Sequence, residues 1–268
     1  MKVTELFKLD GKIAIVTGGA RNLGLDMALA LAEVGADLVI TSRQLGDARS
    51  SAERISSSTN RKVLPVEVDV TDEKQVVAMV DAALREYGRI DILVNNAGNA
   101  GKSTPESAPF ENRTVDFWRL VLEVNLTGVF LCSKHVVSRT MKPSKSGVIV
   151  NVASTAGIIG KDRRQYEGTD MGGATLGYHA SKGGVIAMTG DMAVYLAPQG
   201  IRVNCISPGG FRRSQPESFV QRYSANVPMG RMGEEGKELK GAVVFLASEA
   251  SSYVTGHNLV VDGGLTAW

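Results

Sequence analysis

The sequence has few of the residues from which disulfide frameworks and metal sites are built. Its 268 residues include 2 cysteines and 3 histidines, and none of them lies in a CxxC or HExxH spacing. Cys132 and Cys205 both lie in apolar surroundings, so we expect buried free thiols in a reducing compartment rather than a disulfide. We therefore expect no metal site.

The sequence also lacks a strong charge excess and long apolar runs. With 30 basic and 28 acidic residues the formal charge is +2, which gives no electrostatic basis for binding nucleic acid. No run approaches the roughly 20 apolar residues that span a bilayer. The first ten residues include Glu5 and Lys8 and contain no continuous apolar stretch of a secretory signal. We expect a cytoplasmic protein without a nucleic-acid or membrane partner.

Short apolar runs alternate along the whole chain with segments of helical periodicity. The runs cover residues 12–17, 37–41, 63–68, 91–95, 147–152, 201–206 and 258–261. Seven buried strands alternating with helices imply right-handed crossovers and a parallel sheet covered on both faces. The pattern predicts one α/β domain over residues 1–268, a doubly wound (Rossmann) seven-stranded sheet. Irregular stretches at 96–113, 156–177 and after Ser207 are expected at the strands' carboxyl ends, where ligands bind.

The first predicted strand runs into a glycine-rich turn and then a helix. The turn reads Thr17-Gly18-Gly19-Ala20-Arg21-Asn22-Leu23-Gly24, and the helix is expected to end at Gly35. Backbone N–H groups of such a turn, together with a helix N-terminus, suit a pyrophosphate. A turn without a ligand is the alternative.

Five ordered motifs resemble those of the classical short-chain dehydrogenase/reductase family, across essentially the whole chain. Thr17-Gly18-x-x-x-Asn22-x-Gly24 is similar to the family's TGxxxGxG turn, with Asn22 in place of the middle glycine. Asn95-Asn96-Ala97-Gly98 matches its NNAG element and Tyr178-x-x-x-Lys182 its YxxxK, with Asn125, Ser154 and Pro208-Gly209 in the same order. Because Asn tolerates left-handed backbone geometry, we expect the turn to survive.

The resemblance implies a nicotinamide cofactor site and a catalytic set. The catalytic residues would be Asn125, Ser154, Tyr178 and Lys182. The cofactor residues would be Gly18, Arg21, Asn22, Leu23, Gly24, Ser42, Arg43, Asp69, Val70, Asn96, Ala97, Gly98, Tyr178, Lys182, Pro208 and Gly209. Asp69 would accept a bond from the adenine amine, or would only shape its turn.

Charge at the end of the second strand favours NADP(H) over NAD(H). An NAD site usually has an acidic residue there, whereas this chain has Ser42 followed by Arg43, with Arg21 in the facing turn. Two guanidinium groups suit a 2′-phosphate, unless they are merely solvated. We predict NADP(H) as the preferred cofactor, with NAD(H) possible.

Tyr178 and Lys182 lie four residues apart and so share one helix face. A neighbouring ammonium, together with the cationic ring of an oxidised nicotinamide, should lower the tyrosine pKa from about 10 by about 3 units. By resemblance, Tyr178 would transfer the proton, Ser154 would bond the carbonyl oxygen, Lys182 would bind the nicotinamide ribose, and Asn125 would hold a relay water.

An insertion separates Ser154 from Tyr178, an interval about twice the family's usual length. It covers residues 160–173 and, with Arg212 and Arg213, would make the cleft mouth basic. We name Ser154, Arg164, Gly210 and Arg212 as candidate substrate residues; a solvated loop or a subunit contact is the alternative.

Three functions remain open on the sequence. Pro228-Met-Gly-Arg-Met-Gly233 and the segment from Val261 to Trp268, Val-Asp-Gly-Gly-Leu-Thr-Ala-Trp, are similar to the gluconate 5-dehydrogenase-like branch of the family. The first function is therefore a dehydrogenase of a sugar, polyol or sugar acid. A 3-ketoacyl thioester reductase and a non-enzymatic nucleotide-binding scaffold are the alternatives. The helices predicted to start near Leu126 and Tyr178 carry more apolar residues than one face of a sheet needs, namely Val129, Phe130, Val136, Val137, Val185, Met188, Met192 and Val194. The resemblance implies that these helices pack against a second subunit, so we predict a homotetramer.

Overall fold

The parallel sheet predicted from the sequence is present. The computed structural model describes residues 2–99, 110–172 and 175–268. In that part of the chain the strands are β1 (Ile13–Val16), β2 (Asp37–Ser42), β3 (Val63–Glu67), β4 (Ile92–Asn95), β5 (Gly147–Val152), β6 (Ile201–Pro208), β7 (Phe211–Arg212), β8 (Gly233–Glu234) and β9 (Asn258–Val261). Seven of them form one sheet in the order β3-β2-β1-β4-β5-β6-β9, every pair parallel. The two-residue strands β7 and β8 form a small second sheet that the sequence pattern did not predict.

Helices connect the strands as the alternating pattern predicts. They are α1 (Asn22–Glu33), α2 (Leu45–Thr59), α3 (Glu73–Tyr87), α4 (Val115–Leu122), α5 (Gly128–Val136), α6 (Lys142–Ser144), α7 (Leu176–Leu196), α8 (Glu217–Ala225) and α9 (Glu238–Ala247). Helix α3 begins after Asp72, whose carboxylate accepts from the backbone N–H groups of Lys74 and Gln75. Helix α1 ends before Gly35, whose φ of 109° lies in the left-handed region.

Helices pack on both faces of the sheet. Because successive strand residues point to opposite sides, each central strand contributes side chains to both core layers. Ala14 and Val16 of β1 belong to a core layer with α1, α2 and α9, whereas Ile15 faces the other layer. That second layer contains buried residues of α3, α5 and α7. The two layers fix the sheet at the centre and leave the strands' carboxyl ends uncovered by core.

Helices α4, α5 and α6 form one continuous helix, Val115–Ser144, interrupted by two π-helical segments, Glu123–Thr127 and Val137–Met141. It begins well before Leu126, where the sequence placed its start, because the Thr114 hydroxyl caps it by accepting from Phe117 N–H. Among the described residues it is the one helix long and apolar enough to cross a membrane by length and composition, a test that a core helix also passes. Its buried face, including Leu131 and Val136, packs in the second core layer.

Candidate active site

A cavity of 530 Å³ lies at the carboxyl ends of the strands. All sixteen residues that the sequence assigns to the cofactor line it, and so does Ser154. Arg213, which the sequence places at the cleft mouth, also lines it. Sequence reasoning did not assign the other lining residues, which are Ala20, Thr41, Val68, Thr71, Asn99, Leu120, Val124, Val152 and Ala153. Thr41 precedes the assigned Ser42, and Val68 precedes the assigned Asp69. Their positions at the ends of β2 and β3 could therefore have indicated them from the sequence.

The glycine turn keeps its shape although asparagine replaces its middle glycine. Asn22 has φ 50° and Gly18 has φ 62°, both in the left-handed region. Asn22 therefore adopts the geometry that the sequence predicted for it. At Gly24 a Cβ would collide with the Gly18 carbonyl and with the Asn96 carboxamide, so only glycine fits there.

Hydrogen bonds join this turn to the segment that follows β4. Thr17 Oγ1 accepts from the backbone N–H groups of Asn96 and Ala97, each at 3.0 Å. Asn96 Nδ2 donates to the Thr17 carbonyl at 2.9 Å and to the Gly18 carbonyl at 3.1 Å. The Gly18 N–H donates to Thr41 Oγ1 at 3.2 Å. These bonds fix the two cofactor-lining segments relative to each other before any ligand binds.

Two arginines line the cavity, one in the glycine turn and one directly after β2. Arg21 and Arg43 are both exposed and line the cavity, and within the described ranges neither guanidinium forms an ion pair. Ser42, the last residue of β2, contributes no negative charge, and its hydroxyl accepts a hydrogen bond from Gln44 N–H. Asp69, two residues after β3, also lines the cavity. Its Oδ1 accepts hydrogen bonds from the backbone N–H and the hydroxyl of Thr71. The residues present therefore fit a phosphorylated adenosine ribose.

Ser154, Tyr178 and Lys182 meet at the other end of the cavity. Ser154 follows β5 and begins a short 3₁₀ turn, in which its hydroxyl accepts from Ala156 N–H at 3.1 Å. Helix α7 begins after Thr175 and presents Tyr178 and Lys182 on one face. Lys182 is buried, and its Nζ donates to the Val152 carbonyl at 2.6 Å and lies 5.6 Å from the Tyr178 ring centroid.

Burial controls the proton affinities of this pair. It raises the pKa of Tyr178, and a hydrogen bond with Ser154 opposes the rise. Burial also lowers the pKa of Lys182 to about 8. The structure gives the opposite direction to the lowering of the Tyr178 pKa expected from the sequence, because loss of hydration on burial is the largest contribution.

Asn125 lies behind the cavity rather than on its surface. It is fully buried in the π-helical segment between α4 and α5. Its Oδ1 accepts from Asn99 N–H at 2.6 Å, and its Nδ2 donates to the Asn99 carbonyl at 2.9 Å and to Ser181 Oγ at 3.0 Å. Gly98 separates it from Lys182, since a Cβ at Gly98 would lie 3.4 Å from Asn125 Oδ1 and 3.7 Å from Lys182 Nζ.

The insertion packs against α8 instead of standing free. Tyr166 lies 5.0 Å from Phe219, ring centroid to ring centroid, and Met171 packs on the same cluster. Arg222 of α8 donates to the carbonyls of Gln165 and Glu167. The last residue of the predicted insertion, 173, and residues 100–109 of the irregular stretch lie outside the described residues.

The candidate substrate residues other than Ser154 do not line the cavity. Gly210 donates from its N–H to the Tyr223 hydroxyl at 2.6 Å and is covered by that ring. Arg164 pairs with Asp162, and Arg212 pairs with Glu217. Arg213, which does line the cavity, pairs with Glu235. These pairs offset much of the positive charge predicted at the mouth.

The described residues contain no cluster of three or more metal-binding side chains, and both cysteines are buried free thiols. Of the apolar residues predicted at a subunit contact, Val129, Val136 and Val185 are buried within the chain. Phe130 and Val194 are exposed, at 51 % and 79 %.

Comparisons with known proteins agree with this site. A family model described as enoyl-(acyl carrier protein) reductase matches residues 18–266. Cis-4-hydroxycyclohexanecarboxylate dehydrogenase of Sinomonas cyclohexanicum is 38 % identical, over 96 % of this chain and 97 % of the relative. A gluconate 5-dehydrogenase from Burkholderia cenocepacia J2315, solved with NADP and tartrate, has a TM-score of 0.88 and 34 % identity and covers 100 % of both chains. NAD⁺-bound xylitol dehydrogenase has a TM-score of 0.85 and 34 % identity, over 96 % of this chain and 100 % of that chain.

The fold and site define a nicotinamide-dependent oxidoreductase that transfers a hydride between its cofactor and a carbonyl or secondary alcohol. The chain belongs to the short-chain dehydrogenase/reductase family. Of the two solved structures named above, one holds NADP and the other holds NAD⁺.

Proposed function

We propose that this protein is an NADP(H)-dependent dehydrogenase of a sugar, polyol or sugar acid. The observation that carries the cofactor choice is the pair of arginines, Arg21 and Arg43, on a cavity wall where Ser42 provides no carboxylate. The substrate class is supported by the gluconate 5-dehydrogenase and xylitol dehydrogenase neighbours. Gluconate and xylitol are both polyhydroxylated and of similar size.

The catalytic residues would act on one carbonyl oxygen. Bound cofactor supplies or accepts the hydride. Tyr178 donates its phenolic proton to the oxygen during reduction and removes it during oxidation, and Ser154 bonds the same oxygen as charge develops. Lys182 would hold the ribose and, as an ammonium, would favour the phenolate form of Tyr178. Asn125 would hold a water that relays protons from Lys182, while Pro208 and Gly209 would form the wall beside the nicotinamide.

A panel of ketones tests the substrate class. Purified protein would be mixed with NADPH and with keto-sugar acids, ketoses, 4-oxocyclohexanecarboxylate and an acetoacetyl thioester, and absorbance at the NADPH band would be followed. Turnover of a keto-sugar acid or ketose that Tyr178→Phe abolishes supports the proposal. Turnover confined to the cyclohexane acid would move the substrate class toward the hydroxycyclohexanecarboxylate relative.

A 3-ketoacyl thioester reductase is the second candidate. It would need the same Ser154, Tyr178 and Lys182, and the matching family model is described by a reductase of acyl carrier protein substrates. Activity on the acetoacetyl thioester with none on keto-sugars would establish this candidate and overturn the first. A non-enzymatic scaffold would leave Ser154 and Tyr178 without a role, and it would show no turnover with any ketone.

We also propose a cytoplasmic homotetramer that binds neither nucleic acid nor membrane. Exposed apolar side chains at Phe130, Val194 and Tyr195 on two helices support the assembly. Light scattering coupled to gel filtration would measure its mass, and a monomer at micromolar concentration would contradict the assembly.

A further inference from the structure

A buried serine on α7 connects two parts of the site that catalysis requires. Ser181 lies next to Lys182 in the chain and is fully buried. Its hydroxyl donates to the Tyr178 carbonyl at 2.8 Å and accepts from Asn125 Nδ2 at 3.0 Å. One helix position is about 100° of rotation, so Ser181 points toward the π-helical segment while Tyr178 and Lys182 share another face.

The Asn125 carboxamide is held at both ends. Its two amide hydrogens go to Ser181 Oγ and to the Asn99 carbonyl, and its Oδ1 accepts from Asn99 N–H. A continuous chain of hydrogen bonds therefore runs from the Asn99 backbone through Asn125 and Ser181 to the first turn of α7. Without the Ser181 hydroxyl, one amide hydrogen of Asn125 would be left unpaired in a buried position, which favours a different rotamer.

We propose that Ser181 is a positioning residue for the hydride-transfer reaction, acting through Asn125 and the first turn of α7. It sets the carboxamide of Asn125 and, through it, the Asn99 backbone beside Gly98 and Lys182. This inference rests on the proposed function of Asn125 and Tyr178. Serine suits the position because its hydroxyl donates along the helix and accepts across it within the space of one Cβ substituent.

The chain provides a matched control in Ser133. Its hydroxyl is also buried and also accepts from an asparagine amide, Asn95 Nδ2, at 3.0 Å. It lies on α5 and does not line the cavity. Ser133→Ala and Ser181→Ala thus remove the same kind of bond, one away from the catalytic residues and one beside them.

The experiment compares these two variants in steady-state kinetics with the best ketone from the panel. Ser181→Ala should lower kcat about tenfold or more and change its pH profile, while KM and the NADPH Kd stay within about threefold. Ser133→Ala should lower Tm by a comparable amount and leave kcat and its pH profile unchanged. Ser181→Cys, which keeps one substituent on Cβ but replaces the hydroxyl by a larger sulfur that accepts hydrogen bonds poorly, should behave like Ser181→Ala and carries the test if the alanine variant does not fold.

Two further readouts separate positioning from general damage. The double variant Asn125→Ala/Ser181→Ala should be no slower than Asn125→Ala alone, because both substitutions interrupt one pathway. Without cofactor or substrate, amide exchange around Asn99 should accelerate in Ser181→Ala but not in Ser133→Ala. A Ser181→Ala enzyme with wild-type kcat and exchange, or one whose defects Ser133→Ala reproduces, overturns the inference. A wild-type enzyme that reduces no ketone overturns the proposed function instead, and the exchange measurement still decides the role of Ser181.

Discussion

Replacing Arg43 by glutamine should remove one of the two positive charges that favour a 2′-phosphate. A charge-assisted hydrogen bond contributes about 1.5–3 kcal/mol, whereas exposed ion pairs contribute about 0.2–1 kcal/mol. Arg43 is exposed at the cavity rim and has no ion-pair partner among the described residues, so we take an intermediate value of about 1.4 kcal/mol. That value corresponds to about a tenfold rise in the NADPH Kd. The NADH Kd should change less than twofold, because NADH lacks the phosphate.

Titration of both proteins with NADPH and NADH at one fixed salt concentration measures the effect. Arg49→Gln is the matched control, since Arg49 is exposed on α2 and does not line the cavity but carries the same charge. The advantage of wild type for NADPH should also shrink as salt is raised. Equal wild-type affinities for the two cofactors, or an equal loss in Arg49→Gln, would show that Arg43 is a solvated surface residue.

The remaining predictions concern the turn and the catalytic pair. Tyr178→Phe should lower kcat by orders of magnitude with an unchanged NADPH Kd; near-normal turnover would contradict the proton-transfer role. Asn22→Ala should destabilise the fold by about 1 kcal/mol because φ at this position is 50°, whereas Asn22→Gly should not; equal Tm values for both variants would refute the strain argument. Lys182→Met should raise Tm at pH 7, since burial lowers the pKa of Lys182 to about 8 from 10.5. Between about pH 8 and pH 10.5 Lys182 is protonated in the unfolded chain and neutral in the folded chain. The free energy of unfolding of wild type therefore rises with pH in this range, and the higher Tm of Lys182→Met should lose its margin. A Tm difference between wild type and Lys182→Met that is constant from pH 7 to pH 10 would contradict this prediction.

The fold could be predicted because its signal is repeated. Each of the seven sheet strands is a short apolar run between helical periods, and burial on both faces leaves little choice of arrangement. Strands β7 and β8 carry no such signal, being two residues each. The start of the helix at Val115 was missed because its cap, Thr114, follows an irregular stretch and its first residues are exposed.

The cofactor side of the site was predictable because its residues lie at strand ends and in one turn. The substrate side was not, because charge in a sequence says nothing about pairing. Arg164 and Arg212 were predicted to meet an anionic substrate, yet Asp162 and Glu217 lie close enough to neutralise them. The Tyr178 pKa shows the same limit: spacing places the ammonium nearby, whereas the direction of the shift depends on burial.

The packing of the insertion against α8 suggests where substrate selectivity is encoded. The ring of Tyr166 packs at a tilt against Phe219, which in turn packs against Tyr223. The Tyr223 hydroxyl accepts from the N–H of Gly210, the neighbour of the cavity-lining Gly209. A change in the insertion can therefore reach the cavity wall at Gly209 through packed aromatic rings, although no described insertion residue lines the cavity. Arg222 holds the same two segments together through backbone carbonyls, which any side chain at those positions would provide. We therefore expect the length and path of the insertion, more than its charged side chains, to influence the shape of the cavity at Gly209.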